Sequence, residues 1–404
     1  MSSFSISTLG CRANQADSER LSQMLRAAGM QELPAGEAVD CALVNTCTIT
    51  AEADRKSLKM IRRRLREARV VIVTGCGVTE RGGIAGLPEG AFAVSPQEHK
   101  RILDILAGEN ISVGESSEPD DRQHRTRALI RVQDGCDHFC SYCIVPYVRG
   151  AVRSFDCDEL VHQVQRLERD GYKEIVLTGI HLAKWGLELE PRRDLAYLVG
   201  RFLESTSAVR FRLSSVEPIS FPRSLIDLMR ECPERLCPHL HLPLQHASDR
   251  ILKRMRRGYT LDEYDELAQM FLSVPGACMT TDILLGFPGE TEEDMDILSA
   301  YLERTPYYHL HVFPYSRRPG TAANTYKDQV PEQLKKERVE RIIALGERSK
   351  ERVLSAFRGT KRPVLVERLV PGTDLVTGTA DNYISVSFPG DASMLGQIIC
   401  AVIS

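Results

Sequence analysis

The chain has 404 residues, of which 43% are hydrophobic and 26% charged, with a net charge of −3 at neutral pH. That length exceeds one ordinary core and implies two or three domains. The near-balanced charge excludes a globally basic surface, so any RNA contact must come from local patches. The opening MSSFSISTLG lacks a basic segment followed by an apolar run, and no stretch reaches the length of a membrane span. A cytosolic protein without membrane attachment is expected. Twelve cysteines in a reducing compartment point to metal binding or catalysis rather than disulfides.

The first region runs to about residue 115. Residues 4–9, 42–45 and 70–74 form three short apolar runs of strand length. Between them lie helical patterns: Leu21, Met24 and Leu25 share one helical face, and Gly29 is placed as a C-cap. Alternating strands and helices imply a parallel α/β sheet. Each run ends in a cysteine, namely Cys11, Cys47 and Cys76. In an open parallel sheet the strands' carboxyl ends share one edge, where ligands bind, so the three can converge. Unrelated buried thiols are the plainer alternative, but three at matching positions argue against it. A polar linker without periodicity is expected near residues 114–126.

The second region spans about 127–358. Strand-like runs at 129–132, 174–178, 210–214, 239–244, 280–285 and 309–314 alternate with amphipathic helical patterns. Six β-then-α repeats suggest a partial barrel related to the eight-unit fold, with its chemistry at the strands' C-terminal ends. The third region, 359–404, shows Ile384, Val386 and Phe388 alternating with Ser385 and Ser387. Further strand candidates lie at 364–366, 376–379 and 397–403, so a small antiparallel sheet or barrel is expected.

The sharpest motif is Cys136-Asp-His-Phe-Cys140-Ser-Tyr-Cys143, just after the first strand of the repeat. Three thiolates from one tight loop can hold three irons of a cubane and leave the fourth open. A zinc knuckle is the alternative. Structural zinc wants four ligands, usually as two pairs, and His138 inside the loop can hardly close a tetrahedron.

With these residues the chain resembles the radical SAM superfamily, whose open iron binds the methionine part of S-adenosylmethionine (SAM). With Cys11, Cys47 and Cys76 added, nearly the whole chain resembles its methylthiotransferase family. The runs that carry this are Thr8-Leu-Gly-Cys-Arg-Ala-Asn-Gln15, Val44-Asn-Thr-Cys-Thr-Ile-Thr-Ala-Glu-Ala-Asp-Arg-Lys56 and Pro146-Tyr-Val-Arg-Gly150. Later ones are Leu213-Ser-Ser-Val-Glu-Pro218, His239-Leu-His-Leu-Pro-Leu-Gln245, Gly286-Phe-Pro-Gly-Glu-Thr291 and His311-Val-Phe-Pro-Tyr-Ser316. The resemblance implies an α/β chain in three parts: an N-terminal domain (1–115) with an auxiliary 4Fe–4S cluster, a (β/α)6 radical SAM core (127–358) and a TRAM-like RNA-binding domain (359–404).

The implied roles follow residue by residue. Cys136, Cys140 and Cys143 hold the SAM-cleaving 4Fe–4S cluster, and Cys11, Cys47 and Cys76 hold the auxiliary one, which carries the sulfur. One SAM methylates that sulfur, and a second yields the radical that takes hydrogen from carbon 2 of adenine. Tyr142 packs near the adenine of SAM, Gly179 lets backbone approach its methionine amine, and Ser215 and Glu217 meet its polar groups. The implied partners are tRNA and a reduced flavodoxin- or ferredoxin-like electron donor.

Asn14-Gln15 and the run from Thr48 to Lys56 look most like the branch acting on threonylcarbamoyladenosine. Sister branches act on isopentenyladenosine in tRNA or on an aspartate of a ribosomal protein, and a non-catalytic metal-stabilised RNA-binding protein is the rival of another class. His246-Ala-Ser stands where the family usually has Ser-Gly-Ser, so a ring is expected to narrow that site. A buried threonylcarbamoyl carboxylate needs a cation, and Arg149, Arg153, Arg317 and Arg318 are candidates. Two basic stretches, Arg55 to Arg69 and Arg250 to Arg257, are open to phosphate contact or to plain solvation. Thr291 is expected to cap a helix with an acidic first turn, with no catalysis at Glu290. Cys41, Cys157, Cys232, Cys237, Cys278 and Cys400 show no cluster spacing.

Overall fold

The computed structural model describes residues 2–78, 86–114 and 126–403. Residues 115–125 of the expected linker lie outside the described residues. The chain divides into two compact units: residues 1–123, 134–152 and 316–324 form one, and 124–133, 153–315 and 325–404 the other.

The first unit is built on a parallel sheet of β1 (Ser3–Thr8), β2 (Gln31–Glu32), β3 (Val39–Thr46), β4 (Ala68–Gly75) and β5 (Ala91–Ala93), in the order β2-β1-β3-β4-β5. The three expected strands are its centre; β2 and β5 are too short to carry a hydrophobic pattern. Along β3, Cys41 and Leu43 face a core with α1 (Arg12–Ala27) and α3 (Arg101–Gly108), while Ala42 and Val44 face a core with α2 (Ala51–Arg64). Both faces are covered, which is why these strands read as apolar runs instead of alternating. Gly29, with φ +77°, lies just past the end of α1, as a terminating glycine should. A short helix, α4 (Val145–Arg149), begins at Val145-Pro146, where the proline's missing N–H costs nothing.

In the second unit six parallel strands follow one another: β6 (Ala128–Arg131), β7 (Glu174–Thr178), β8 (Arg210–Leu213), β9 (His239–His241), β10 (Cys278–Leu285) and β11 (His309–Pro314). They form two three-stranded sheets, and parallel bridges Phe211↔Leu236 and Ser215↔His241 join them. The helices are α5 (Cys157–Arg169), α6 (Leu195–Ser205), α7 (Ser224–Glu231), α8 (Asp249–Met255), α9 (Leu261–Leu272), α10 (Glu292–Arg304) and α11 (Glu332–Phe357). This is the expected partial barrel with two adjustments. The fourth strand stops at His241, two residues before Pro243, and it is followed by two helices instead of one. As expected, Thr291 caps α10 in a capping box with Asp294.

The unit ends in an antiparallel sheet of β12 (Lys361–Leu369), β13 (Leu375–Ala380), β14 (Ser385–Pro389) and β15 (Ile398–Val402), in the order β14-β13-β12-β15. Ile384 and Val386 are buried and Ser385 and Ser387 exposed, as their alternation required. Buried charge also joins this sheet to the barrel. Glu174 accepts from Arg210 Nε and Arg212 Nε, each at 2.7 Å. The same guanidinia donate to backbone oxygens of the sheet: Arg210 to Pro363 at 2.8 Å, and Arg212 to Ala380 and Asp381 at 2.9 Å each. Burial opposes ionisation of Glu174, but Arg212 and Arg210 outweigh it and hold the carboxyl well below the usual carboxylate range.

Candidate functional site

The register pairs Thr8 with Asn45 and Asn45 with Thr74, so β1, β3 and β4 end level and release Cys11, Cys47 and Cys76 at one sheet edge. The backbone there is close-packed. Gly10 has φ +103°, and a Cβ on it would stand 3.1 Å from the sulfur of Cys47. Gly75 has φ +90°, and its Cβ would meet Thr46 O at 2.5 Å. Only glycine suits either turn.

Asn14, fully buried on α1, ties two of these ends together by donating to Leu9 O and Thr46 O, both at 2.8 Å. Its carbonyl oxygen accepts from Arg149, the last residue of α4. Arg149 Nε lies 3.1 Å from the sulfur of Cys76, and Nη1 donates to Asp17 at 2.8 Å. Burial pushes the Cys76 thiol up to about 11, against the opposing pull of Arg149; Cys11 and Cys47 add to the rise. Burial likewise raises Cys47, with the Ile49 N–H opposing and Cys11 reinforcing. The three sulfurs thus lie within electrostatic reach of one another, and binding a metal must release their protons.

The second triplet lies in the same unit. Its loop is closed by Cys136 N to Gly150 O (3.0 Å), Cys140 N to His138 O (2.8 Å) and Cys143 N to Cys140 O (3.0 Å). Cys140 is buried, while Cys136, Tyr142 and Cys143 are half-buried. His138 donates its backbone N–H to the sulfur of Cys136 at 3.4 Å. Phe139, 49% exposed, meets Tyr147 edge-to-face. Among the described residues no three His, Cys, Asp or Glu side chains close on a single ion. Two all-thiol triplets nonetheless suit clusters, in which each thiolate takes a separate iron and the triangle is wider. A cation on the sulfur of Cys76 fits a thiolate ligand as well.

In the second unit the remaining expected residues follow strands β7 and β8. A Cβ on Gly179 would lie 3.0 Å from Gln133 Oε1, which accepts from His181 N, so packing alone demands a small residue there. Ser215 is half-buried and bridges His241; Glu217 is ion-paired with Arg257. His239 and His241 do share a face and both bond Thr280 Oγ1, at 3.2 and 2.9 Å. Glu290 caps Gly286 N and pairs with Arg338 at 2.7 Å, a structural use.

His246 departs from expectation. Its ring is fully buried, accepts from Ser248 N at 2.9 Å and fills space beside Glu290; it does not narrow an open site. Burial pushes its pKa down to about 3. The unfolded chain takes up a proton near pH 6.5 that the folded chain refuses, so stability falls as pH drops from about 6.5 toward 3. His246→Asn removes this slope, at most about 1.4 kcal/mol per pH unit. Urea unfolding at several pH values reads it; parallel curves for variant and parent would contradict it. The neighbouring Glu290, raised by burial, slopes the other way, so the difference between the two proteins carries the test.

Residues 130–301 match the Radical SAM superfamily and residues 3–86 the Uncharacterized protein family UPF0004. The threonylcarbamoyladenosine tRNA methylthiotransferase MtaB of Bacillus subtilis (strain 168) is 34% identical, over 99% of this chain and 93% of its own length. Its namesake in Aquifex aeolicus (strain VF5) is 34% identical over 95% and 96%. The tRNA-2-methylthio-N(6)-dimethylallyladenosine synthase of Acetivibrio thermocellus is 32% identical over 98% and 87%. The chain belongs to the radical SAM tRNA methylthiotransferase family. Enzymes of this family use SAM and 4Fe–4S clusters. In fold, the chain is similar to the solved radical S-adenosylmethionine methyltransferase TsrM from Kitasatospora setae, with TM-score 0.55 and 14% identity over 80% of this chain and 74% of that one.

For a methylthiotransferase the arginines are informative. Two of the four candidates are committed inside the protein: Arg149 as above, and Arg318 to Asp54 and Thr48, next to Cys47. Arg153, over the Phe155 ring, and Arg317, donating to Asn324 O, are exposed. In the second basic stretch Arg250, Arg254 and Arg257 are ion-paired with Asp294, Asp328 and Glu217. In the first, Arg64 is buried against Ser7, but Arg55, Lys56, Lys59, Arg62, Arg63, Arg66 and Arg69 are exposed on or just beyond α2. Sequence reading missed the ties made by Asn14 and Arg149; 135 residues separate the two, and no local pattern announces their contact.

Proposed function

We propose that this methylthiotransferase adds a methylthio group to carbon 2 of threonylcarbamoyladenosine beside the anticodon of tRNA. The observation that carries the reading is the gathering of two cysteine triplets, Cys11/Cys47/Cys76 and Cys136/Cys140/Cys143, in one compact unit. Each triplet would hold one 4Fe–4S cluster. Bound there, the barrel-loop cluster supplies the electron that cleaves SAM, and the auxiliary cluster supplies the sulfur. The chain's own residues position and shield: Gly10, Gly75 and Asn14 hold the cysteine turns together, and Tyr142, Gly179, Ser215 and Glu217 are proposed to contact SAM. A flavodoxin- or ferredoxin-like protein would deliver the electron.

For the substrate, support comes from relatives carrying the threonylcarbamoyladenosine name at 34% identity. Asn14 is spent on tying strand ends together, so it reads no substrate. Arg153 and Arg317 are exposed, and one of them is proposed to read the threonylcarbamoyl carboxylate, through bidentate contact. The exposed cations on and beyond α2 suit phosphate, with binding that weakens as salt rises. Along the sequence, the proposed division gives 1–115 the auxiliary cluster, 127–358 the radical SAM core and 359–404 RNA contact.

The dimethylallyladenosine relatives keep a second substrate open. Reconstituted enzyme is offered tRNA bearing either nucleoside, and products are read by nucleoside mass spectrometry. A methylthio group on the threonylcarbamoyl tRNA alone is the expected result. Modification of the isopentenyl tRNA alone would reverse the substrate assignment. Modification of neither, with a ribosomal protein modified instead, would remove tRNA from the reading.

A further inference from the structure

The Pro146-Tyr-Val-Arg-Gly150 run follows the barrel-type cysteine loop in sequence, yet its arginine is not used there. Arg149 is fully buried and reaches the other cysteine set. One planar guanidinium meets three partners: Cys76 Sγ at 3.1 Å from Nε, Asp17 at 2.8 Å from Nη1, and Asn14 Oδ1 from Nη2. Asp134, which precedes the loop, stands 3.5 Å from Nη1. A buried cation in this arrangement has two carboxylates at one end, Asp17 and Asp134 beside Nη1, and the sulfur of Cys76 at Nε. A flexible ammonium could not make the same fork of contacts.

We infer that Arg149 is a positioning residue for the auxiliary iron–sulfur group, fixing Cys76 and setting the charge around the site from the segment that follows the other cysteine loop. The inference rests on the reading that Cys11, Cys47 and Cys76 are cluster ligands. Hydrogen bonds to ligand sulfurs and local charge set the reduction potential of such a group. Reduction adds negative charge. A cation on a ligand sulfur therefore stabilises the reduced form and raises the potential, and an anion behind that cation lowers it. Arg149 and Asp17 belong to one network but carry opposite signs, so the two must act in opposite directions. A merely structural role has no such sign.

The test uses the full chain carrying C136A, C140A and C143A, so that only the auxiliary site can hold a cluster. After anaerobic reconstitution, iron and sulfide content and an EPR-monitored redox titration are recorded. Arg149→Gln is expected to shift the midpoint to more negative values, Asp17→Asn to more positive values, and Arg149→Lys to fall between Gln and the parent. Should Arg149→Gln fail to retain iron, Asp17→Asn keeps the cation in place and still carries the sign. Midpoints that do not move, or that move in the same direction, would overturn the role of Arg149. If the parent chain itself binds no iron, or binds it equally after Cys47→Ala, the ligand reading falls first, and that outcome is distinct from a failure of Arg149.

Discussion

Cys140→Ala is expected to reduce cleavage of SAM to background while iron at the N-terminal cysteines is retained. Cys140 is the most buried of its triplet, and its backbone forms the centre of the loop, accepting from Cys143 N and donating to His138 O. Alanine keeps those backbone bonds, so the loop keeps its course and loses only a thiolate. A cubane held by three protein ligands then has two, and half-buried Cys136 and Cys143 cannot replace the third. The N-terminal triplet shares the unit but no ligand with this loop. 5′-Deoxyadenosine formation and iron content of the anaerobically reconstituted variant are the measurements. Undiminished 5′-deoxyadenosine would show that Cys140 is no ligand, and loss of all iron would show that the two sites are not independent.

The second large effect belongs to stability. Glu174→Gln leaves Arg210 and Arg212 buried without a countercharge, a change of the kind that costs about 3–5 kcal/mol. In glutamine one of the two accepting oxygens becomes an NH2, a donor facing guanidinium donors, and the negative charge is gone. Arg127, 3.8 Å from the same carboxylate and 2.7 Å from Glu367, loses part of its environment as well. Chemical denaturation of parent and variant measures the difference; a change below about 1 kcal/mol, the range of an exposed pair, would mean the cluster is solvated in solution. The same geometry alters what a truncation reports. Removing residues 359–404 takes away the oxygens that Arg210 and Arg212 donate to. A shortened chain therefore leaves these buried guanidinia with Glu174 but without their sheet acceptors, and point substitutions on the exposed surface are the cleaner probe of tRNA binding.

The sequence made legible whatever is periodic or contiguous. The short apolar runs before Cys11, Cys47 and Cys76, alternating with helical patterns, announced a parallel sheet, and three cysteines at matching ends announced one edge. The contiguous 136–143 loop and the alternation from Ile384 to Phe388 were equally plain. Contacts that depend on closure of the fold were not. Arg149 reads as a cation after a cysteine loop, available for substrate, until the fold places it against Asp17 and Cys76. Arg250, Arg254 and Arg257 read as a basic stretch, and only their acidic neighbours from distant segments make them ion pairs. His246 read as a lining residue because a departure from a familiar motif suggests function. Its burial depends on Glu290 and α10, more than forty residues on, which local spacing does not encode.

The oxygens that receive Arg210 and Arg212 in the C-terminal sheet are those of Pro363, Thr379, Ala380 and Asp381, all from the main chain. A backbone carbonyl is present whatever side chain it carries. Exposed positions of that sheet, such as Ser385, Ser387 and Arg368, can therefore change charge, size or polarity without removing these acceptors. The barrel holds the sheet by its shape and leaves its outward lettering free. Variation there can rewrite the charge and shape of the sheet's outer surface while its attachment to the barrel stays as it is.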